Sequence, residues 1–312
     1  MRHLETLLQD ETAGDPISGV KWTRKTLAKL AQALTTSYAC PVGRETVRRL
    51  LEELEYTLRT NRKRLSRCQD VDRDRQMRYI VRQRRAFLRA QQPVISVDTK
   101  KKELIGDFKN AGRTWRREAW EVLSTDFPSD ARGKAIPYGV YDVARNRGFV
   151  GVGVAHETAR FAVQVIRHWW RCEGVRAFPN ATTLLIEADG GGANGYRSWM
   201  WKWELQQLAN ETGLAIRVTH YPTSASKWNP VEHRLFCHIS RNWAGQPLRT
   251  YEMVLKFIRT TRTNVGLRCR AYLDTADYPT RVKLTPEQKS QIHLVRHRVL
   301  PKWNYTIKPQ IE

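Results

Sequence analysis

The sequence is organised around the stretch SKWNPVEHRLF, which spans residues 226–236. Asn229 is a favourable helix N-cap and Pro230 suits the first helical turn, so a helix is predicted to begin here. The positions three, four and seven residues after Glu232 are all apolar. Because such positions share one face of a helix, Glu232 is predicted to lie on the inward face of this helix.

An inward carboxylate at Glu232 has two explanations. In the first, Asn229 and Glu232 form a capping box, since their three-residue offset lets the glutamate bond the amide of the cap. In the second, Glu232 is a ligand of a metal ion. The stretch taken alone favours the capping box, because short capping patterns are common in any sequence. Two acids further upstream reverse that preference.

Two apolar, strand-like runs each end in an aspartate. Residues 94–97 lead into Asp98, and residues 184–188 lead into Asp189, which is followed by three glycines. In a mixed sheet covered by helices, ligands bind beyond the carboxyl ends of the strands, so both aspartates are predicted to lie there with Glu232. Three converging carboxylates repel one another unless cations neutralise them, and oxygen ligands select hard ions such as Mg²⁺ or Mn²⁺.

Five long segments carry a family resemblance. They are VISVDTKKKELIGDFKN (94–110), GKAIPYGVYDVARN (133–146), ADGGGANG (188–195), WKWELQQLA (201–209) and SKWNPVEHRLFCHISRNW (226–243). Together they resemble the DDE transposases of the ISAzo group of bacterial insertion sequences, within the RNase H-like transposase and integrase superfamily. The order Asp98, Asp189, Glu232 looks like the catalytic triad of that family. The resemblance implies an α/β fold, in which an RNase H-like mixed-sheet core follows an all-helical, helix-turn-helix DNA-binding region.

The resemblance also implies an activity. A DNA transposase would cleave strands at the ends of its element and transfer them into target DNA, with Asp98, Asp189 and Glu232 holding two Mg²⁺ (or Mn²⁺) ions about 3.5 to 4 Å apart. Its partners would be duplex DNA, namely the terminal repeats and the target, and further copies of itself in a synaptic complex. Two alternatives stay open: a nuclease of the same fold that cuts without joining, and an inactive helix-turn-helix regulator.

Composition agrees with a nucleic-acid partner. The 312 residues carry a formal net charge of +23, which indicates a polyanion, although a ribosomal-type basic protein would fit as well. The five cysteines form no C-x-x-C pair, which disfavours a zinc site and a disulfide framework. No run of eighteen apolar residues and no signal-peptide core occur, so the expected location is the cytoplasm, at the nucleoid, with no membrane association.

The first 58 residues are predicted to form the DNA-binding domain. Apolar residues recur at three- and four-residue spacing in two helices, the first capped by Thr23, and the break between them resembles a helix-turn-helix. The second helix would present Arg44, Arg48 and Arg49, which could bond guanine edges in the major groove. An ordinary pair of amphipathic helices explains the spacing equally well, and the resemblance favours DNA binding.

A basic helical connector is predicted over residues 59–92, before the catalytic domain at 93–312. Residues 59–89 contain twelve Lys or Arg against three Asp, so this segment is predicted to lie along phosphates, with a solvated linker as the alternative. The basic residues expected to contact phosphate are Arg62, Lys63, Arg64, Lys100, Lys101 and Lys102.

Within the catalytic domain the predicted order is four strands, a helix, a strand, a helix, a strand and the Glu232 helix. Three other polar residues lie near the predicted site. Glu187 shares a strand face with Asp189, and either assists the metal or pairs with a basic neighbour. His220 and His233 are expected to support the site or contact DNA. The triple glycine after Asp189 lacks both the P-loop and the dinucleotide pattern, which excludes an ATPase or Rossmann interpretation.

Overall fold

The computed structural model describes residues 1–11, 13–14, 21–22, 26–56, 71–223, 225 and 228–310. The chain divides into two compact units, Met1–Leu65 and Ser66–Glu312. Three residues expected to contact phosphate, Arg62, Lys63 and Arg64, lie outside the described residues. None of the described helices is long and apolar enough to cross a membrane.

The first unit is built mainly from helices. Its elements are α1 (Arg2–Glu11), β1 (Ala13–Gly14), β2 (Lys21–Trp22), α2 (Leu27–Tyr38) and α3 (Arg44–Glu53). The helices bury a small apolar core made of Leu4, Leu8, Leu30, Leu34 and Val47. The cap of α2 is Thr26, whose hydroxyl accepts from the amide of Lys29 at 3.3 Å, whereas Thr23 was expected to be the cap.

The second unit contains the remaining elements. Its helices are α4 (Arg73–Arg89), α5 (Ala159–Trp169), α6 (Val175–Ala177), α7 (Trp199–Thr212), α8 (Cys237–Asn242), α9 (Tyr251–Thr260) and α10 (Pro286–Ser290). Its strands are β3 (Val94–Thr99), β4 (Glu103–Ile105), β5 (Gly133–Asp142), β6 (Arg147–Gly153), β7 (Thr183–Ala188), β8 (Ala215–His220), β9 (Arg268–Asp274), β10 (Leu294–Arg296) and β11 (Asn304–Ile307). A π-helical turn, Glu232–Phe236, leads directly into α8.

The strands form one mixed sheet in the order β10-β11-β8-β7-β3-β5-β6-β9, and β4 pairs with β5 beside this path. At its centre, β3 runs parallel to β7 and antiparallel to β5, and β7 runs parallel to β8. Since β5 is antiparallel to β6, and β6 is parallel to β9, the strands β3, β6, β7, β8 and β9 all point the same way. Their carboxyl ends therefore meet at one edge of the sheet.

Helices cover both faces of the sheet, because successive strand side chains point to opposite faces. On one face α5 and α7 pack against strand residues such as Ile95 and Ile186. On the other face, the π-helical turn, α8 and α9 pack against residues such as Val150 and Val152. This second face also receives α4, through Phe87. The result is the α/β, RNase H-like architecture that the family resemblance implied.

The strands that carry the aspartates were predicted to within one residue. The additional strands β9, β10 and β11 were not predicted. β10 and β11 have only three and four residues, which is too short for a clear alternation of apolar and polar residues, and β9 is only partly buried along its length. The boundaries predicted at 58 and 92 remain predictions.

Candidate active site

Two aspartates lie side by side at the carboxyl ends of neighbouring strands. Asp98 is the fifth residue of β3, and Asp189 directly follows β7. These strands are parallel, with Val97 opposite Ala188, so the two carboxylates reach the same edge of the sheet. Both line a cleft of about 420 Å³, called here the carboxylate cleft. The sequence predicted that both aspartates would lie at the carboxyl ends of their strands, and in the structure they do.

Glu232 approaches the same aspartates from a different element. It begins the π-helical turn, which packs on the sheet through buried Val231 and Phe236. Gly139, which pairs with Asp98 across β3 and β5, permits this approach, because a Cβ there would lie 2.5 Å from the ring of Phe236. A side chain at this position would therefore push the Glu232 segment away from Asp98.

The pKa values of all three carboxylates are raised, mainly by burial. Burial, together with repulsion from Asp189 and Glu232, holds the pKa of Asp98 well above its usual range. Burial likewise raises the pKa of Asp189, and Glu157 and Glu232 add to the effect. The pKa of Glu232 is raised by burial as well, and His233 and Lys100 counteract part of that rise. Acidic side chains are thus concentrated in a partly desolvated region of the protein.

The chemistry of this donor set suits a hard divalent cation. All three groups offer oxygen, the ligand that Mg²⁺ and Mn²⁺ prefer, and a cation would remove the repulsion that raises their pKa values. Among the described residues, no group of three Asp, Glu, His or Cys side chains is close enough to enclose one ion.

Asn229 fixes the Glu232 segment to β3. Its Nδ2 donates to Asp98 Oδ2 at 3.2 Å, and its Oδ1 accepts from the hydroxyl of Ser96 at 2.5 Å. The amide of Val231 donates to the same Ser96 hydroxyl at 3.1 Å. Because the side chain of Asn229 is used in this way, it does not cap a helix, and the capping box between Asn229 and Glu232 is not formed.

A second amide supports Asp189. Asn194, which is buried, donates from Nδ2 to Asp189 Oδ1 at 3.5 Å, and its Oδ1 accepts from the hydroxyl of Tyr138 at 2.6 Å. The glycine-rich loop between them turns tightly: Gly192 has a φ of +56°, and a Cβ there would lie 3.0 Å from Glu157 Oε1. Of the three glycines, Gly192 is therefore the one whose lack of a side chain the cleft requires.

Glu157 is a fourth acid in the cleft, and sequence reasoning missed it. It lines the carboxylate cleft, contributes to the raised pKa values of Asp98 and Asp189, and pairs with Lys102 at 3.0 Å. The sequence position of Glu157 could have predicted its place at the cleft, because Glu157 comes soon after β6. That strand points the same way as β3, so its carboxyl end reaches the same edge of the sheet.

The three lysines after Asp98 differ from one another. Lys100 is buried, pairs with Glu103 at 2.7 Å and lies 4.4 Å from the ring centre of Trp243, so its ammonium is already engaged. Lys102 pairs with Glu157. Lys101 is exposed and lines the cleft. Of the three, Lys101 is the one best placed to meet a phosphate.

Glu187 pairs with a basic neighbour, which was one of its two predicted roles. Its carboxylate is fully buried and accepts two hydrogen bonds from Arg84 of α4, at 2.8 Å and 2.5 Å. Tyr221 donates a third, at 3.0 Å. A buried charge satisfied in this way holds α4 against β7, and it is not available to a metal ion.

The two histidines also have distinct surroundings. His220 is fully buried, and burial lowers its pKa to about 4, so the ring is neutral at physiological pH. Its Nδ1 donates to the main-chain oxygen of Asp189 at 2.8 Å, and its Nε2 accepts from the hydroxyl of Tyr305 at 3.0 Å. His220 therefore supports the backbone that carries Asp189. His233 is exposed beside Glu232.

In the first unit, α2 and α3 form the predicted pair of helices. Arg44 and Arg49 of α3 are both exposed, whereas Val47 is buried, and Arg49 lies on the side of the helix opposite Val47. Arg48 is also exposed, but it pairs with Glu45 at 2.8 Å and with Glu52 at 2.6 Å. A DNA contact by Arg48 would have to replace these two pairs, whereas Arg44 and Arg49 are open to a partner.

A family model described as Rhodopirellula transposase DDE domain matches residues 3–309, which is nearly the whole chain. No protein of curated function matches the sequence.

Solved structures of Mos1 transposase resemble this chain at low sequence identity. The paired-end complex with the left transposon end is 14% identical, with 82% of this chain and 69% of that chain covered and a TM-score of 0.45. The mariner Mos1 paired-end complex with Mg is 16% identical, with 82% and 68% covered and a TM-score of 0.46.

Proposed function

Because the chain belongs to the family of Rhodopirellula transposase DDE domains, and is therefore a DNA transposase, we propose that Asp98, Asp189 and Glu232 are its catalytic carboxylates. The observation that carries this proposal is the meeting of Asp98 and Asp189 in the carboxylate cleft, with Glu232 close enough to act on both: burial raises the pKa values of all three acids, and repulsion from Glu232 adds to the rise at both aspartates. Acids kept together at such a cost in free energy indicate a cationic partner.

DDE transposases use divalent metals, and we propose that Asp98, Asp189 and Glu232 hold two Mg²⁺ or Mn²⁺ ions. When bound, such ions would activate the attacking oxygen and stabilise the leaving oxygen of the phosphodiester. The oxygen-only donor set of the cleft supports this choice over softer metals.

The chain's own residues arrange the carboxylates for this task. The amide of Thr99 donates to Asp98 Oδ1 at 2.8 Å and Asn229 donates to its Oδ2, so this carboxylate is held from both sides. Asn194 and the amide of Gly191 stabilise the charged form of Asp189. Lys101, at the rim of the cleft, would contact the phosphate next to the scissile bond. No covalent intermediate with the protein is required.

The DNA contacts divide into two kinds. We propose that Arg44, Arg48 and Arg49 of α3 read bases in the element's terminal repeats, as a recognition helix does. Phosphate contacts would come from Arg62, Lys63 and Arg64 and from α4, which has an exposed row of arginines: Arg78, Arg82, Arg85 and Arg89. Contacts of the second kind position the protein without reading sequence.

Assembly and location are proposed on the same basis. Two element ends must be cut and joined to one target, so the working form would be a homo-oligomer that holds both ends in a synaptic complex. Its place of action would be the nucleoid, because its substrate is chromosomal DNA.

The test is incubation of the protein with end-labelled duplexes that carry the terminal repeats of its own element. With Mg²⁺ we expect cleavage at the repeat boundary and, when an unlabelled target plasmid is added, joined products. With EDTA neither product should form. Cleavage without joining would identify a nuclease of this fold, and binding without cleavage in Mg²⁺ or Mn²⁺ would identify a regulator.

A further inference from the structure

A second large cavity lies away from the carboxylate cleft. It is a groove of about 850 Å³ formed by the start of β6, the start of β9, the end of α9 and the segment around α6. Five arginines that line it have no acidic partner within the described part of the chain: Arg147, Arg176, Arg259, Arg262 and Arg268. This cavity is called here the arginine groove.

The groove contains far more positive than negative charge. Besides the five arginines, its lining includes Arg145 and Arg270, and both of these pair with the single acid present, Glu173, at 3.6 Å and 3.4 Å. Seven arginines against one glutamate leave six positive charges in excess. A concave surface with one sign of charge strengthens the local field, so it attracts anions more than the same charges on a flat surface would.

Two of the arginines are held in position by the backbone. Arg259 donates from Nε to the main-chain oxygen of Ala271 at 3.0 Å, and Arg176 donates from Nη2 to that of Cys172 at 2.6 Å. Each guanidinium keeps further N–H groups that point elsewhere, because it has five donors in a fixed fork. Holding these forks in place lowers the entropy lost when a ligand binds.

The arginine groove is separate from the carboxylate cleft. Asp98 is level with Val150 and Ala271 across the sheet, whereas Arg147 and Arg268 lie three residues earlier on strands of the same direction. At about 3.3 Å per residue and about 4.8 Å per strand, β9 in the groove is roughly 10 Å along the strands and roughly 14 Å across them from Asp98. The cleft and the groove therefore cannot hold the same phosphate.

We propose that the arginine groove binds the phosphodiester backbone of duplex DNA, at a place distinct from the bond that is cut. The inference rests on the proposed function for the identity of the polyanion, and on the groove for the location. Duplex DNA carries one charge per about 1.7 Å of its axis, so a groove of this size spans several phosphates. Arginine suits them because its planar fork matches two phosphate oxygens at once.

The test is a triple variant, Arg147→Gln with Arg262→Gln and Arg268→Gln, which removes three exposed or half-exposed arginines that have no side-chain hydrogen bond in the described structure. Binding to a labelled 30-base-pair duplex of random sequence is measured by anisotropy, in EDTA, over a range of salt. Losing three phosphate contacts should lower the slope of log affinity against log salt by about 2 to 3, and should weaken binding at 0.1 M salt by about tenfold or more.

Two matched variants complete the experiment. Arg281→Gln with Lys283→Gln and Arg298→Gln removes the same charge outside the groove and should weaken binding less than about threefold. Arg147→Lys with Arg262→Lys and Arg268→Lys keeps the charge and should restore most of the salt slope. An unchanged slope in the glutamine groove variant, or an equal loss in the control variant, would overturn the proposal.

The source of the bound duplex follows from two further assays of the groove variant. If the groove holds target DNA, cleavage at the element ends persists while joining falls; if it holds the DNA beside the ends, cleavage itself falls. Either result supports the groove. Should the wild-type protein bind DNA through the groove yet cut nothing in Mg²⁺ or Mn²⁺, the proposed function would fail while the groove would stand.

Discussion

Glu187 and Asp189, two acids at the carboxyl end of β7, have opposite surroundings. Glu187 is fully buried and receives two hydrogen bonds from Arg84 and one from Tyr221. Asp189, two residues later, lies beside Asp98 with no basic side chain paired to either of them within the described structure, and the pKa values of both are raised. The contrast separates an acid whose charge is satisfied by the fold from the two acids that we propose bind a cation.

The difference arises from what each strand end faces. Glu187 faces α4, which supplies a guanidinium from a helix rich in arginine. Asp98 and Asp189 face the cleft, where the ammonium groups of Lys100 and Lys102 are paired with Glu103 and Glu157. In a protein of net charge +23, Glu187 thus has a paired arginine, whereas Asp98 and Asp189 have no paired basic side chain within the described residues.

The largest effect that we expect is on catalysis. Asp98→Asn, Asp189→Asn and Glu232→Gln should each lower the rate of strand cleavage by at least about a thousandfold, on the order of 4 kcal/mol, because each removes an ionic ligand of the metal. DNA affinity in EDTA should change by less than about threefold. Cleavage of labelled ends and anisotropy measure the two properties, and Glu118→Gln, at an exposed acid, is the control.

One result would show that Glu232 has a structural role and not a catalytic one. If Glu232→Gln cut DNA at a near-normal rate while unfolding at a clearly lower temperature than the wild type, another acid would have to complete the set.

The next effect concerns the acid that has its own partner. Arg84→Met should lower the free energy of unfolding by about 3 to 5 kcal/mol, because it leaves the buried charge of Glu187 uncompensated. The double variant Arg84→Met with Glu187→Leu should recover most of this loss. Urea unfolding measures both variants. A loss below about 1 kcal/mol in the single variant would show that water reaches Glu187, and the contrast with Asp189 would then disappear.

A smaller effect is expected from the unpaired acids. In EDTA, Asp98→Asn should be more stable than the wild type, because it removes repulsion. Mn²⁺ at a hundred times its Kd should stabilise the wild type by about 2.7 kcal/mol and the variant by much less. Thermal unfolding with and without Mn²⁺ measures this, and an equal response of the two proteins would place the metal elsewhere.

The raised pKa of Asp98 also makes the stability of the metal-free protein depend on pH. The pKa of Asp98 is higher in the folded than in the unfolded chain, so the metal-free wild type binds more protons when folded. The contribution of Asp98 to stability should therefore be fully present below about pH 4, the usual aspartate range, and should fall as the pH rises towards its folded pKa of about 8. Asp98→Asn should flatten that fall.

The smallest effect is expected at Glu157. This acid lines the cleft but pairs with Lys102, so it is partly neutralised. Glu157→Gln should lower cleavage by about tenfold or less, on the order of 1 kcal/mol, in the assay used for the triad. A loss as large as that of Asp98→Asn would make Glu157 a member of the catalytic set.

Much of the site could be predicted from the sequence because it depends on local patterns. An apolar run that ends in an acid shows where a buried strand meets solvent, and this pattern located Asp98 and Asp189 correctly at neighbouring strand ends. The apolar spacing after Glu232 likewise showed that its segment packs on the sheet. These features need only the periods of strand and helix.

What could not be predicted depends on contacts between distant parts of the chain. The role of Asn229 is an example, because an N-cap and a side chain that bridges Ser96 and Asp98 have the same sequence signature. The lysines are another. Adjacent in sequence, Lys100 and Lys101 differ in burial because Glu103 and Trp243 enclose only the first. Such partners are brought together by sheet order and helix packing.

The most direct test of the central claim replaces the metal with Fe²⁺ and maps where it binds. In the presence of ascorbate and peroxide, bound Fe²⁺ produces hydroxyl radicals that cut the nearest backbone, and mass spectrometry locates the cuts. Cuts should cluster near Asp98, Asp189 and Glu232, weaken when Mg²⁺ or Mn²⁺ competes, and vanish in Asp98→Asn. Cuts that cluster at another part of the chain, or that persist unchanged in Asp98→Asn, would contradict a metal site built from these three carboxylates.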